Sequence, residues 1–212
     1  PQYVEGYFEP SNIILGPDGY YYALFWTHRH YEDTSLTAGR ECIMRTKTLG
    51  DPASWRAWDG EDFNLPMLSP YASGSEVEPC TETPSPVVRW RPLSNTWSLT
   101  YNTYLERYMW VGEESIWGDD GELVCGVYFS TSLDLLHWSE VQLIAEAILW
   151  CDPPTSNGLE PVRIQYPSII DHEDSTTNFE RPGRTPYLYY TRHNGGLDRD
   201  LVRVPLTLAL EE

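Results

Sequence analysis

Long apolar runs are missing from this sequence; nothing in it approaches the roughly 18 residues that a membrane-spanning helix requires. Basic residues are scarce too, with 14 Lys and Arg against 32 Asp and Glu, a formal charge of −18. Such a field repels phosphate backbones and anionic lipid surfaces. It excludes nucleic acid and membrane as expected partners and suits a neutral or cationic ligand, although acidity also simply keeps a protein soluble. Cysteine is sparse: Cys42, Cys80, Cys125 and Cys151 include no pair at metal-ligand spacing. Cys42 and Cys125 fall in strand-like segments, where a reduced, buried thiol is expected. Cys80 and Cys151 lie near prolines in loop-like segments and suit a bridge if the protein is exported. A Gly-rich phosphate loop and a nucleophile elbow are both lacking, so phosphoryl transfer and serine-type acyl transfer find no support. The chain opens on Pro1 and not on Met, which reads as processing or trimming from something longer.

Helical periodicity is also in short supply. Its best stretch, residues 135–149, is broken by β-branched residues and a Trp138-Ser139 pair that reads as a turn. What the chain has in quantity is aromatic residues, 14% of the total, with nine Trp, fifteen Tyr and five Phe. Some must be core; the surplus suits a protein that stacks rings on the flat apolar faces of a small ligand.

A short signature, Pro-Ser-x-Ile/Val, occurs three times, at Pro10-Ser11, Pro84-Ser85 and Pro167-Ser168. Each copy is followed by strand-like segments. In the first unit Gly16-Pro17-Asp18-Gly19 reads as a hairpin turn leading into residues 20–26, with a further strand at residues 41–46 and one short helical turn at Pro52-Ala53-Ser54. The second has an inner strand at residues 87–90, strands at 98–102 and 107–112, and a long one at 123–132. The third has strands at residues 169–171, 186–192 and 201–206. Mostly-β units of this length point to propeller blades, here approximately residues 7–75, 76–150 and 160–208 of one domain spanning residues 1–212. Three blades do not close a ring, so the reading requires either a further N-terminal portion or another chain. A sandwich or barrel is the structural runner-up.

In a propeller the residues before each Pro-Ser, namely Glu9, Thr83 and Tyr166, face one cavity. Glu9, between Phe8 and Pro10, is the candidate general acid, because partial desolvation raises a carboxyl's pKa toward what that role needs. Glu82, Asp171 and Glu78 are candidate second carboxylates. Candidate ligand-binding groups follow the second strands: Trp26 and His28 in the first unit, Arg192 and His193 in the third. Asn102, a polar residue in an aromatic strand, either satisfies backbone groups or binds ligand. His28 and His30 alone make a weak metal signal, so neither metal nor cofactor is expected.

From Glu9-Pro10-Ser11-Asn12-Ile13 through Gly19-Tyr20-Tyr21-Tyr22 the chain resembles the five-bladed propeller glycosidases of the arabinanase, xylosidase and invertase type. Residues Ser130 to Trp138 are similar to the Ser-x-Asp-Leu-x-x-Trp blade ending of those proteins. The resemblance implies five blades, with Glu9 as the acid; Glu5-Gly6 fits the family's Glu-Gly pairing better, and no segment matches its aspartate base. The expectation is therefore a secreted or periplasmic glycoside hydrolase acting on a polysaccharide or oligosaccharide. The alternative is a glycan-binding propeller without catalysis.

Overall fold

The structure, a computed structural model, describes residues 6–8, 10–28, 39–67, 80, 98–118, 121–147, 163–195 and 197–210, and of residues 6–8, 26–28 and 39–40 the backbone alone. Three antiparallel sheets account for nearly all regular structure in them. The first joins β1 (Gly6–Phe8), β2 (Ile14–Leu15), β3 (Tyr21–His28), β4 (Gly39–Thr46), β5 (Arg56–Trp58) and β6 (Phe63–Pro66) in the order β1-β3-β4-β5-β6, with β2 also on β3. The second, in order β10-β9-β8-β7, contains β7 (Ser98–Asn102), β8 (Arg107–Trp117), β9 (Leu123–Ser132) and β10 (Gln142–Glu146). The third is β11 (Ile164–Ile170), β12 (Tyr187–Gly195) and β13 (Asp198–Pro205), paired in that order.

Local chemistry explains most of these elements. Between β2 and β3 the turn is closed by the Gly19 amide donating to the Gly16 carbonyl at 3.0 Å, and Gly19 takes the positive φ of 79° that a side chain would resist. The Pro52–Ser54 turn is a single 3-10 turn, capped by the Asp51 carboxylate accepting from the Ala53 amide. Alternation then sorts side chains between faces. Tyr22 and Leu24 of β3 join Ile14, Ile43, Leu99, Tyr108 and Trp110 in one cluster, while Phe25 packs on the opposite face with Cys42, Ala57 and Cys80.

Strand β8 is apolar on both sides. Tyr108 and Trp110 face the first sheet, and Met109 and Val111 face Ile169 and Leu188 of the third. The middle sheet is therefore covered on both faces, and a full-length β8 core residue contributes about 1.5–3 kcal/mol by burial. Its edge strand β7 is covered as well. The Asn12 amide group donates to the Leu99 carbonyl at 2.7 Å and accepts from the Leu99 amide at 2.8 Å. On the other side the Ser98 hydroxyl accepts from the Ile169 amide at 3.0 Å, and the Tyr101 amide donates to the Glu180 carbonyl at 2.8 Å. An edge whose polar groups are taken in this way offers no template for another strand.

The expected propeller is absent. The sheets pack one upon the next, and none is closed into a barrel or arranged as propeller blades. The repeated Pro-Ser misleads because its copies do unlike work. Ser11 bonds locally, its hydroxyl accepting from the Leu24 amide at 2.9 Å. Pro167-Ser168 sits at a bulge in β11, and Pro84-Ser85 lies outside the described residues, as does the inner strand expected at 87–90. The cysteines need correction too. Cys42 is in a disulfide with Cys80, against the reduced thiol expected there, while Cys125 is a buried cysteine whose Sγ lies 3.2 Å from the Ser115 hydroxyl.

Candidate functional site

Strands β3, β8 and β12 run in the same sense. Val111 pairs with Ser98, whose hydroxyl meets Ile169 opposite Leu188; two residues further along β8, Glu113 meets Tyr166, beside the level of Thr191. On the other side Tyr22 meets Tyr108 edge to face near the start of both strands, with ring centroids 6.2 Å apart. The far ends of the three strands thus gather at one end of the sheets, where buried Glu113, Glu114, Arg163 and His193 lie.

Glu113 is the centre of this group. Alternation points it at the third sheet, and it is only 7% exposed. Burial pushes its pKa from 4.5 up to about 7, against the opposing pull of the Tyr166 amide, which donates to Oε1 at 2.6 Å. No hydrogen bond within the described residues takes its second oxygen. Glu114, the next residue, is buried on the opposite face of β8, so the two carboxyl groups do not share a cleft.

Tyr166 lies in the β11 bulge between Gln165 and Ser168 with φ at 61°, a left-handed conformation that costs a non-glycine residue about 1–2 kcal/mol. The bulge turns its ring outward, leaving it 43% exposed, while its amide points inward to Glu113. Beside it the buried His193 donates its backbone N–H to the carbonyl of buried Arg163 at 2.8 Å. Burial, then the Arg199 and Arg163 guanidiniums, hold the His193 ring below the usual imidazole range, so it is neutral near pH 7. Arg192 sits on the exposed side of β12, paired with Asp200 at 2.7 Å, and Asn194 donates to the same carboxylate at 3.0 Å.

Of the residues singled out from sequence, Tyr166, Arg192 and His193 come to this end. Trp26 and His28 have backbone places near the end of β3, without described side chains. Glu9, Glu82, Glu5 and Glu78 lie outside the described residues. Asp171 and Asn102 are elsewhere, in structural posts. The Asp171 carboxylate accepts from the Glu173 amide at 3.0 Å and the Gly183 amide at 2.7 Å. Asn102 is fully buried, accepting from the Tyr104 and Leu105 amides and donating to the Gly183 carbonyl. Sequence reasoning missed Glu113 and Arg163. The signal for Glu113 was present: an acidic pair continuing the apolar run of residues 108–112.

No family model matches the chain, and no curated protein matches it. The glycosidase expectation, and with it the hydrolase assignment, is overturned. The propeller that would bring its carboxylates together is absent, and no catalytic carboxylate cluster forms among the described residues. Nor does any group of three or more His, Cys, Asp or Glu among them suit a metal ion.

Proposed function

We propose that this domain works by binding, taking a neutral, hydroxyl-rich ligand of the carbohydrate class where β8 meets the β11 bulge. One observation carries the reading: a buried carboxyl, Glu113, with one oxygen engaged by the Tyr166 amide and the other without a hydrogen bond among the described residues, beside the exposed Tyr166. Near pH 7 such a carboxyl is partly protonated, so it both donates to and accepts from a hydroxyl group. The tyrosine ring supplies a flat apolar face for a sugar ring. The acidic balance disfavours polyanions as competing ligands. The Cys42–Cys80 disulfide supports an oxidising compartment, outside the cell or in a periplasm, as the place of action.

Calorimetric titration with neutral oligosaccharides of glucose, xylose, arabinose and galactose tests this. At least one binds, and Tyr166→Ala weakens it about tenfold, the effect of losing one well-stacked ring. At about pH 9 the parent binds less tightly as Glu113 ionises, whereas Glu113→Gln, which keeps a donor and an acceptor, does not change. If no oligosaccharide binds, or Tyr166→Ala binds as tightly as the parent, the reading is wrong.

A further inference from the structure

The edges of the three sheets differ in how well they are closed. On β7 the backbone of Leu99 is taken by Asn12. Strand β11 is interrupted by its bulge and carries Pro167, which has no N–H to offer. Strand β10 has five residues and a register shift between Leu143 and Ala145, β6 has four and ends on Pro66, and β1 has three. Edges so short or irregular are poor templates for another strand. Strand β13 is different, with eight residues and unbroken pairing to β12 from Arg199 to Pro205.

The ladder decides which backbone groups of β13 are spent. The His193 amide donates to the Arg163 carbonyl at 2.8 Å, so the odd-numbered residues of β12 bond toward β11 and the even-numbered ones toward β13. Past the end of β13 the Leu206 amide donates to the Pro186 carbonyl at 2.8 Å and the Leu208 amide to the Arg184 carbonyl at 2.9 Å, continuing the even series. The N–H and C=O groups of Asp200, Val202 and Val204 therefore face β12, and those of Arg199, Leu201 and Arg203 face away from the sheet. No hydrogen bond among the described residues meets these outward groups.

Side chains along the edge are open as well. Leu201 is 73% exposed, Val204 40%, and Leu197, just before the strand, 94%. Alternation places Arg199, Leu201 and Arg203 on one face and Val202 and Val204 on the other, opposite Tyr190 and Leu188 of the core. The first face is cationic. The Arg203 guanidinium lies 5.0 Å from the Tyr187 ring centre, steadied by the Tyr189 hydroxyl at 3.5 Å. Asp200 is neutralised by Arg192 at 2.7 Å, and alternation turns Asp198 away from Arg199 and Arg203. Screening over about 8 Å at physiological salt lets these nearby arginines outweigh the distant acidic surface.

We infer that the outer edge of β13 is a docking site for an extended acidic peptide, which joins the third sheet as a further strand. Its main chain bonds to Arg199, Leu201 and Arg203. Two acidic side chains four positions apart meet the two arginines, an apolar one between them meets Leu201, and apolar neighbours on the other face extend the layer of Val202 and Val204. Sugar binding at Glu113 and Tyr166 plays no part in this, so either stands without the other.

The test is fluorescence anisotropy on the full chain with a labelled nine-residue peptide blocked at both ends. It has Glu at its third and seventh positions, Val from the fourth to the sixth and Thr elsewhere; a second peptide has Lys in place of Glu. The Glu peptide binds, and the Lys peptide binds about tenfold more weakly or worse. Leu201→Pro removes the central outward N–H and leaves the β12 ladder intact, as edge prolines do. Its thermal midpoint stays near the parent's while its affinity for the Glu peptide falls about tenfold. Arg199→Glu closes most of the gap between the two peptides, and it decides the matter if Leu201→Pro fails to fold. The inference is overturned if the Glu peptide does not bind, or if it binds a folded Leu201→Pro or Arg199→Glu as tightly as the parent. A parent that sediments as a dimer, dissociated by Leu201→Pro, would overturn it too, because a second copy would then hold the edge.

Discussion

Moving a carboxyl from water into the seam between two sheets disfavours its charged form, and for Glu113 the shift is from 4.5 to about 7. The folded protein therefore holds this proton more tightly than the unfolded chain. The stabilising contribution is complete below about pH 4.5 and is lost as the pH rises through 7. A shift of this size corresponds to about 3 kcal/mol at most, reduced by whatever water reaches the group. Glu113→Gln keeps an acceptor for the Tyr166 amide and removes the titration. Between pH 5 and 8 the parent should lose about 2–3 kcal/mol relative to this variant, read as diverging urea midpoints. Parallel midpoints across that range would mean the carboxyl is not desolvated. Sequence alone drew attention to Tyr166, through its place before Pro167, but not to its partner. The two are 53 residues apart, and only the stacking of the middle and third sheets brings them together.

At the level of strands and turns, residues that stop one element often start a contact with another. Asn102 ends β7, caps the following turn through the Tyr104 and Leu105 amides, and reaches Gly183 in the chain leading to β12. Asn102→Ala leaves two amides and a carbonyl without these bonds in a fully buried place, so it should cost about 2–4 kcal/mol in a denaturation experiment. A loss below about 0.5 kcal/mol would show that water replaces the side chain. Individual strands were legible in the sequence because their signals are local. The β2–β3 hairpin came from Pro-Asp-Gly chemistry, and β9, β12 and β13 from apolar runs bounded by polar turns. How the sheets assemble was not legible. Pro-Ser before an aliphatic residue serves a local hydrogen bond at Ser11 and a bulge at Pro167, and neither use requires rotation about a common axis. Likewise Asn102 read as either a ligand contact or a backbone support, and only its partners give it the second task.

For the molecule as a whole, the Cys42–Cys80 bond ties β4 to a residue 38 positions away and belongs to the cluster with Phe25 and Ala57. Closing a loop of this length in the unfolded chain is worth about 4 kcal/mol in the entropic account. Replacing both cysteines with alanine should lower the thermal midpoint by about 10 °C, and adding reductant to the parent should approach the same value. Equal midpoints for parent and variant in oxidising buffer would show that the bond does not stabilise the fold. Strand β8 has a different consequence. Its first half is core on both faces, and its second half carries Glu113, with no loop or bend between them. The carboxyl is thus fixed to the most constrained part of the protein, and the seam cannot open without disturbing Met109 and Val111 beneath it. Under the binding function proposed above, a ligand arriving at that end meets a mould already set, and selectivity there follows from shape and hydrogen-bond match and not from closure around the guest.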